Sequence, residues 1–352
     1  MAIISMFEII MKNMPKAFYI LALICFANLS VDAQHIMRFN TANIPSTSFY
    51  DIYPLNENQF ILAGKNGVIS TCDIYGNMQL LKETGNSENL LKSKRINDSI
   101  IIVIGDKGSI YSLNTNNNTW NETHLSRFEK KALYNTCSDQ NGNLYINGGH
   151  SKIACGQVTV PHGFILKSTD GGKKWKKIYS RTSKMVWDVK YNPADDKLYA
   201  IVYSPFGSKL LYSSNEGKTW KTLLKSEKKD LFHALYITND GKIMISGGNY
   251  SKNGGKGTIY EINGNKYTKH TSTYFVWDIV STPEIDIASC SKGWIVYRIK
   301  STNNLNWQEM HSTADYNLYE IEKISDTSFL LGGSRKTLIR FDLEAPEQVF
   351  KK

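Results

Sequence analysis

The sequence predicts an all-β chain: a seven-bladed β-propeller of four-stranded antiparallel blades, its ring closed by an N-terminal strand. A turn motif, Ser-x-Asp/Asn-x-Gly-x-x-Trp, occurs at Ser168-Thr169-Asp170-Gly171-Gly172-Lys173-Lys174-Trp175. It recurs at Ser213-Ser214-Asn215-Glu216-Gly217-Lys218-Thr219-Trp220. Each copy follows a short apolar run, Phe164-Ile165-Leu166 or Leu210-Leu211-Tyr212, and self-similarity at this spacing marks a blade repeat. Apolar strands ending in small residues recur seven times along the chain, and a triplet headed by an aromatic residue or His precedes most of them.

The seven apolar strands are Gln59–Gly64, Ser99–Gly105, Leu144–Gly149, Leu198–Tyr203, Ile243–Gly248, Ile285–Ser289 and Ser328–Gly333. Most lead through a short loop into another apolar run, such as Gly67–Ser70 or Gly108–Tyr111. Four to eight apolar or alternating residues between Gly, Asn and Asp turns are the strand signal. The preceding triplets are Tyr50-Asp51-Ile52, Tyr134-Asn135-Thr136, Trp187-Asp188-Val189, His233-Ala234-Leu235, Trp277-Asp278-Ile279 and Tyr319-Glu320-Ile321. Blade two breaks this column, with Leu90-Leu91-Lys92 near the expected place. Seven repeats of four short strands make a seven-bladed ring. The last repeat lacks an outer strand after Leu338–Phe341, and the orphan strand His35–Phe39 fits that slot, closing the ring and covering an edge.

Within the turn motif, Asp170 or Asn215 bonds backbone amides of its own turn. Gly172 and Gly217 supply positive φ. Trp175 and Trp220 start the next strand and cap the apolar layer below. Degenerate versions run from Thr115 to Trp120 and from Ser301 to Trp307. The motif resembles the Asp-box, or BNR repeat, of sialidases, sortilin-type propellers, some xyloglucan-degrading enzymes and the photosystem II stability/assembly factor family. The resemblance implies a propeller in which Ser168, Asp170, Gly172, Trp175, Ser213, Asn215, Gly217 and Trp220 are structural.

At the start of the chain, Lys12 and Lys16 precede the apolar run Ala17–Ala27, and Val31-Asp32-Ala33 offers a cleavage site before Gln34. Residues 1–33 therefore read as a secretory signal peptide, too short in its apolar core to span a bilayer. Residues 34–352 form the propeller, expected outside the cytoplasm (secreted or periplasmic) as a monomer without a transmembrane segment. A net charge of +10 and a pI near 9.1 favour acidic partners, an anionic glycan, a lipid surface or an acidic protein. No nucleic-acid motif accompanies that charge. Cys72, Cys137, Cys155 and Cys290 are either buried thiols or, in an oxidising compartment, the source of one disulfide.

Inner strands of a propeller start at the face that usually binds ligands, and the loops between second and third strands open there too. Candidate binding residues are therefore Tyr50, Tyr134, Trp187, Asp188, His233, Trp277, Asp278, Tyr319 and Glu320. The aromatics either pack between blades or form a stacking platform. The acids, Asp51 among them, should point the other way. They either bond neighbouring blades or line the channel, and unpaired they would need a cationic partner. The loops His150–Gly163 and Asn249–Gly257 and two basic connections (Lys176, Lys177, Arg181, Lys184; Lys225, Lys228, Lys229) join them at this face.

No metal or cofactor is expected. His150, Cys155 and His162 fit no zinc spacing, Asn253–Gly257 lacks phosphate-loop spacing and a following helix, and no catalytic motif is present. A sialidase resemblance would imply Arg-Ile-Pro near the start, where this chain has Asn43-Ile44-Pro45, and Asn lacks the bidentate guanidinium fork. Other glycosidases need two carboxylates facing one cleft, a role open to Asp51, Asp188, Asp278 and Glu320. The photosystem II assembly factor family is similar in length, leader and repeats reading like Ile165–Trp175. This resemblance implies a non-catalytic scaffold that binds a protein. A glycoside hydrolase is the alternative.

Overall fold

The computed structural model describes residues 35–343, apart from 86, 155–157, 228–229, 252, 265 and 302–305. The leader expected at 1–33 lies outside the described residues. Seven four-stranded antiparallel sheets follow one another around an axis. Their inner strands are Phe49–Pro54, Leu90–Arg95, Ala132–Ser138, Met185–Asn192, Leu231–Ile237, Val276–Ser281 and Leu318–Lys323. Each touches the inner strand of the next blade, and the last touches the first. No helix among the described residues is long and apolar enough to cross a membrane.

The sequence pattern explains the layering. Second strands such as Phe60–Gly64 and Ile101–Gly105 are buried throughout because a neighbouring blade covers each face, so they read as continuous apolar runs. Outer strands such as Thr119–His124 are largely exposed and polar. The core is correspondingly a set of inter-blade clusters, for example Ile102, Ile104, Leu133, Ile146 and Phe164 between blades two and three.

The orphan strand does close the ring. His35–Arg38 pairs antiparallel with Leu338–Asp342, His35 opposite Asp342 and Arg38 opposite Ile339. The Phe39 amide then donates to the Leu338 carbonyl (3.0 Å). The Phe39 ring is buried among Ile44, Phe49 and Leu338.

The two full turn motifs share one hydrogen-bond pattern. Ser168 Oγ donates to Asp170 Oδ1 (2.8 Å) and accepts from the Gly172 amide (2.9 Å), and Asp170 Oδ1 accepts from the Lys174 amide (2.9 Å). Ser213, Asn215, Gly217 and Thr219 repeat this at 2.9 Å for all three bonds. Asn replaces Asp without loss because the turn uses one side-chain oxygen as an acceptor, not a charge. The indoles of Trp175 and Trp220 donate to the Gly172 and Gly217 carbonyls (3.0 Å each). Those glycines have φ of 87° and 83°, which side chains rarely adopt. In the degenerate turn before Trp120, Asn117 Oδ1 accepts from the Thr119 amide (3.2 Å). The one before Trp307 falls mostly outside the described residues.

Cys72, Cys137 and Cys290 are buried free thiols, and Cys155 lies outside the described residues. The expected loop at His150–Gly163 is instead a hairpin extension. Strands Leu144–Ala154 and Val158–Ser168 stay in register to the Ala154–Val158 pair, setting His150 opposite His162. Asn249–Gly257 is also a hairpin, with Asn249 paired to Lys256.

Candidate functional site

Pairing between the inner and second strands skips one residue at the same place in every blade. The shifts fall at Phe49/Asp51, Leu90/Lys92, Leu133/Asn135, Val186/Asp188, Phe232/Ala234, Val276/Asp278 and Leu318/Glu320. The skipped residues are Tyr50, Leu91, Tyr134, Trp187, His233, Trp277 and Tyr319. A bulge adds an unpaired residue and breaks the two-residue alternation. Simple alternation therefore misplaces the acids. The aromatic and the residue after it do not point opposite ways, and both line the axial cavity in blades three, four, six and seven.

Six of the seven bulge residues form one chain of ring contacts around the axis. Centroid separations are 5.0 Å for Tyr134–Trp187, 6.0 Å for Trp187–His233 and 5.0 Å for His233–Trp277. Trp277–Tyr319 follows at 5.0 Å and Tyr319–Tyr50 at 5.7 Å. Leu91 holds the seventh position, in blade two, and also lines the cavity. His233 Nδ1–H donates to the Trp277 carbonyl (2.8 Å), and burial lowers the ring's pKa, favouring the neutral form.

Below the rings lies a charged layer. Asp51 accepts the Ser93 amide of the next blade (2.7 Å), Asp188 accepts Leu235 N–H (2.8 Å), and Asp278 accepts Ile321 N–H (3.3 Å). Asn135 Nδ2 donates to Asp188 (2.6 Å). Each acid thus ties its blade to the next through a backbone amide. Lys92, where the column seemed broken, occupies the acid position of blade two. Its ammonium sits 2.9 Å from Asp51 and also pairs with Glu320. Asp51 is 0% exposed and Glu320 8%. The cation required by a buried carboxylate ring is thus built into the column, carried by a triplet without the aromatic signature.

Burial lowers the Lys92 pKa, but Asp51, Glu320 and Asp278 override it and hold it well above the usual range. Burial raises Asp188 to about 6 against the pull of Lys190, and Glu322 to about 7 against that of Lys92. Glu320 and Asp278 are raised by the same cause. Between the ordinary Glu value and about 7 the folded chain holds a proton on Glu322 that the unfolded chain has lost, so this group's stabilising contribution falls as pH rises through that window. Glu322→Gln removes the loss. It is expected to raise Tm by about 2–6 °C at pH 8 and to leave it unchanged at pH 4. Equal shifts at both pH values in thermal melts would refute this.

The axial cavity measures about 950 Å³, within the range of ligand sites. Its lining runs from the aromatic ring to Pro54, Ser138, Tyr191, Asn239, Pro283 and Lys323, at the far ends of the inner strands. Among the described residues no arginine lines it. Arg298 is instead held by Glu261 and Asp286, Arg340 by Asp342, and Arg335 stacks over Tyr316.

The basic connections only partly converge on the loop face. Lys176 and Lys177 begin the outer strand of blade three, next to the Trp175 turn, whereas Arg181 lies near the strand's other end. That strand crosses from one face to the other, which separates the two groups. Lys209 stands opposite Lys225 on paired strands. Phe206 is 97% exposed at the tip of the hairpin that carries Lys209, and Tyr250, 46% exposed, packs against Trp277 with ring centroids 5.4 Å apart. Lys228 and Lys229 lie outside the described residues. The His150 and His162 rings lie 5.2 Å apart. Among the described residues no three His, Cys, Asp or Glu side chains form a metal-binding cluster.

No family model and no curated protein matches the sequence. The fold is similar to that of solved propellers. One is YCF48 bound to D1 peptide, at 15% identity and TM-score 0.65, over 89% of this chain and 96% of that one. Another is virginiamycin B lyase from Staphylococcus aureus, at 12% identity and TM-score 0.67, over 88% and 99%. A third is the WD40 β-propeller domain of Doa1, at 11% identity and TM-score 0.61, over 89% and 96%. These neighbours include both binding scaffolds and an enzyme, and at such identity the likeness concerns the fold alone.

Proposed function

We propose that this chain is a non-catalytic binding propeller, exported after loss of residues 1–33, that docks a segment of a protein partner against the aromatic ring of its axial cavity. The Ser-x-Asp/Asn-x-Gly-x-x-Trp turns are Asp-boxes and serve the scaffold. The observation that carries the reading is the continuous ring from Tyr134 to Tyr50 above acids that are already engaged. Such rings offer large apolar area at low entropic cost. Glycoside hydrolysis needs two carboxyl groups free to reach a sugar, whereas Asp51, Asp188 and Asp278 hold neighbouring amides and Glu320 holds Lys92. The hydrolase alternative keeps one supporting observation, the Glu322 carboxyl near 7, in the range of a general acid. The partner reading draws on the basic loop face and on a similar fold whose structure holds a peptide.

The test applies the chain from Gln34 onward to peptide and glycan arrays, reading both binding and product release. Peptides should bind without turnover. Trp187→Ala and Trp277→Ala should each weaken binding by about 30-fold, the loss of an aromatic hot spot. Binding restricted to glycans would replace the protein partner with a sugar, and released sugar would overturn the non-catalytic reading.

A further inference from the structure

Two lysines on the cavity wall stand outside its charge pairing. Lys94 and Lys190 both line the cavity, and among the described residues neither enters an ion pair, while Lys92 holds Asp51 and Glu320. They occupy equivalent places in blades two and four, each two residues beyond the bulge-following residue (Lys92 to Lys94, Asp188 to Lys190). Cys137 takes that place in blade three, between them. Repulsion from Lys190 adds to burial in lowering the Lys94 pKa. The acids Glu320, Glu322 and Asp278 come from blades six and seven, and at blades two to four the lining carries one acid, Asp188, against the three cations Lys92, Lys94 and Lys190.

At the ring level of blades three and four, the Tyr134 and Trp187 rings lie 5.0 Å apart. Trp187 and Lys190 are three residues apart on one strand, about 10 Å at a strand's rise. A flat apolar body and a negative terminus about 10 Å long would span the two levels.

We propose that Lys94 and Lys190 form an anion subsite in the axial cavity, which takes the carboxylate of a ligand whose apolar body rests on Tyr134 and Trp187. This rests on the cavity being a binding site and adds the ligand's chemistry. The carboxylate belongs either to a free aryl-alkyl acid or to a peptide terminus or acidic side chain of a partner.

The experiment is calorimetric titration of the mature chain with 3-phenylpropionate and with its uncharged amide, backed by tryptophan fluorescence. A Phe-terminated peptide with a free or amidated C-terminus supplies the second source. The acid should bind about tenfold more tightly than the amide, the difference of a charge-assisted pair. The Lys94→Met/Lys190→Met double variant, which keeps the stems, should lose that preference, and Lys173→Met in the exposed turn after Asp170, on the opposite face, should keep it. Preference for the free-ended peptide over 3-phenylpropionate would identify a partner's terminus as the source, and the reverse a small acid. Equal binding of acid and amide, or an unchanged double variant, would overturn the subsite while the cavity reading stood. Absence of binding by every probe, with silent peptide arrays, would overturn both. A folded double variant is verified by a cooperative melt before titration.

Discussion

Lys92→Met is expected to destabilise the fold by about 3–5 kcal/mol, the cost of leaving buried charge without its partner. The ammonium is the counter-charge for Asp51 and Glu320, from blades one and seven, while its own strand belongs to blade two. Removing it strands two carboxylates beside Asp278, which already raises the Glu320 pKa. The variant can relieve part of this by protonating Glu320. Its folded pKa then rises further above the unfolded value, so stability is lost as pH climbs through that interval, and the damage should be larger at pH 8 than at pH 5. At about 2–4 °C per kcal/mol the melting temperature should fall by roughly 6–20 °C at pH 8. Adding Glu320→Gln should restore part of the loss. A Lys92→Met chain that melts with wild type at pH 8 would show that the carboxylates need no cation.

Removing the closing strand should have a comparable effect and a different signature. A chain beginning at Asn40 loses the ladder from His35 to Arg38 and the buried Phe39 ring. Deletion of a buried Phe side chain alone costs about 3–5 kcal/mol. The Leu338–Asp342 strand would become an open edge, a template for pairing with another chain. The truncated chain should therefore melt earlier and self-associate with concentration, read by calorimetry and by light scattering after size exclusion. A truncated chain that stays monodisperse with an unchanged melt would make the closure dispensable.

The blade count, the second strands and the strand exchange were legible because each rests on local pattern: apolar runs buried on both faces, Gly-bearing turns, and one strand missing where another was spare. The bulge at Tyr50, Trp187 and their equivalents was not, since one extra residue leaves no mark on composition while reversing which side chains share a face. Lys92 was hidden for a related reason. Its triplet has no aromatic, so it looked like a gap, although a lone cation opposite repeated acids is what electrostatics demands there. Lys176 and Lys177 stand at the face opposite Arg181 despite their proximity in sequence, because the strand they begin spans the blade. The hairpin past His150 is not legible in the sequence because residues with low strand propensity sit inside a continuous register.

The meeting of His35 with Asp342 joins residues separated by 342 − 35 = 307 positions. Closing so long a span in a disordered chain would cost about 3 kcal/mol more than closing a ten-residue hairpin. Most of that disappears once the intervening blades have formed, because a growing arc of blades carries the two ends toward each other. Closure is then expected to follow the blades, and non-local contacts of this kind set slow folding rates. Until it happens the molecule is a horseshoe with an uncovered flank at each end. The interval before closure is its period of greatest exposure to misassembly, however stable the finished ring.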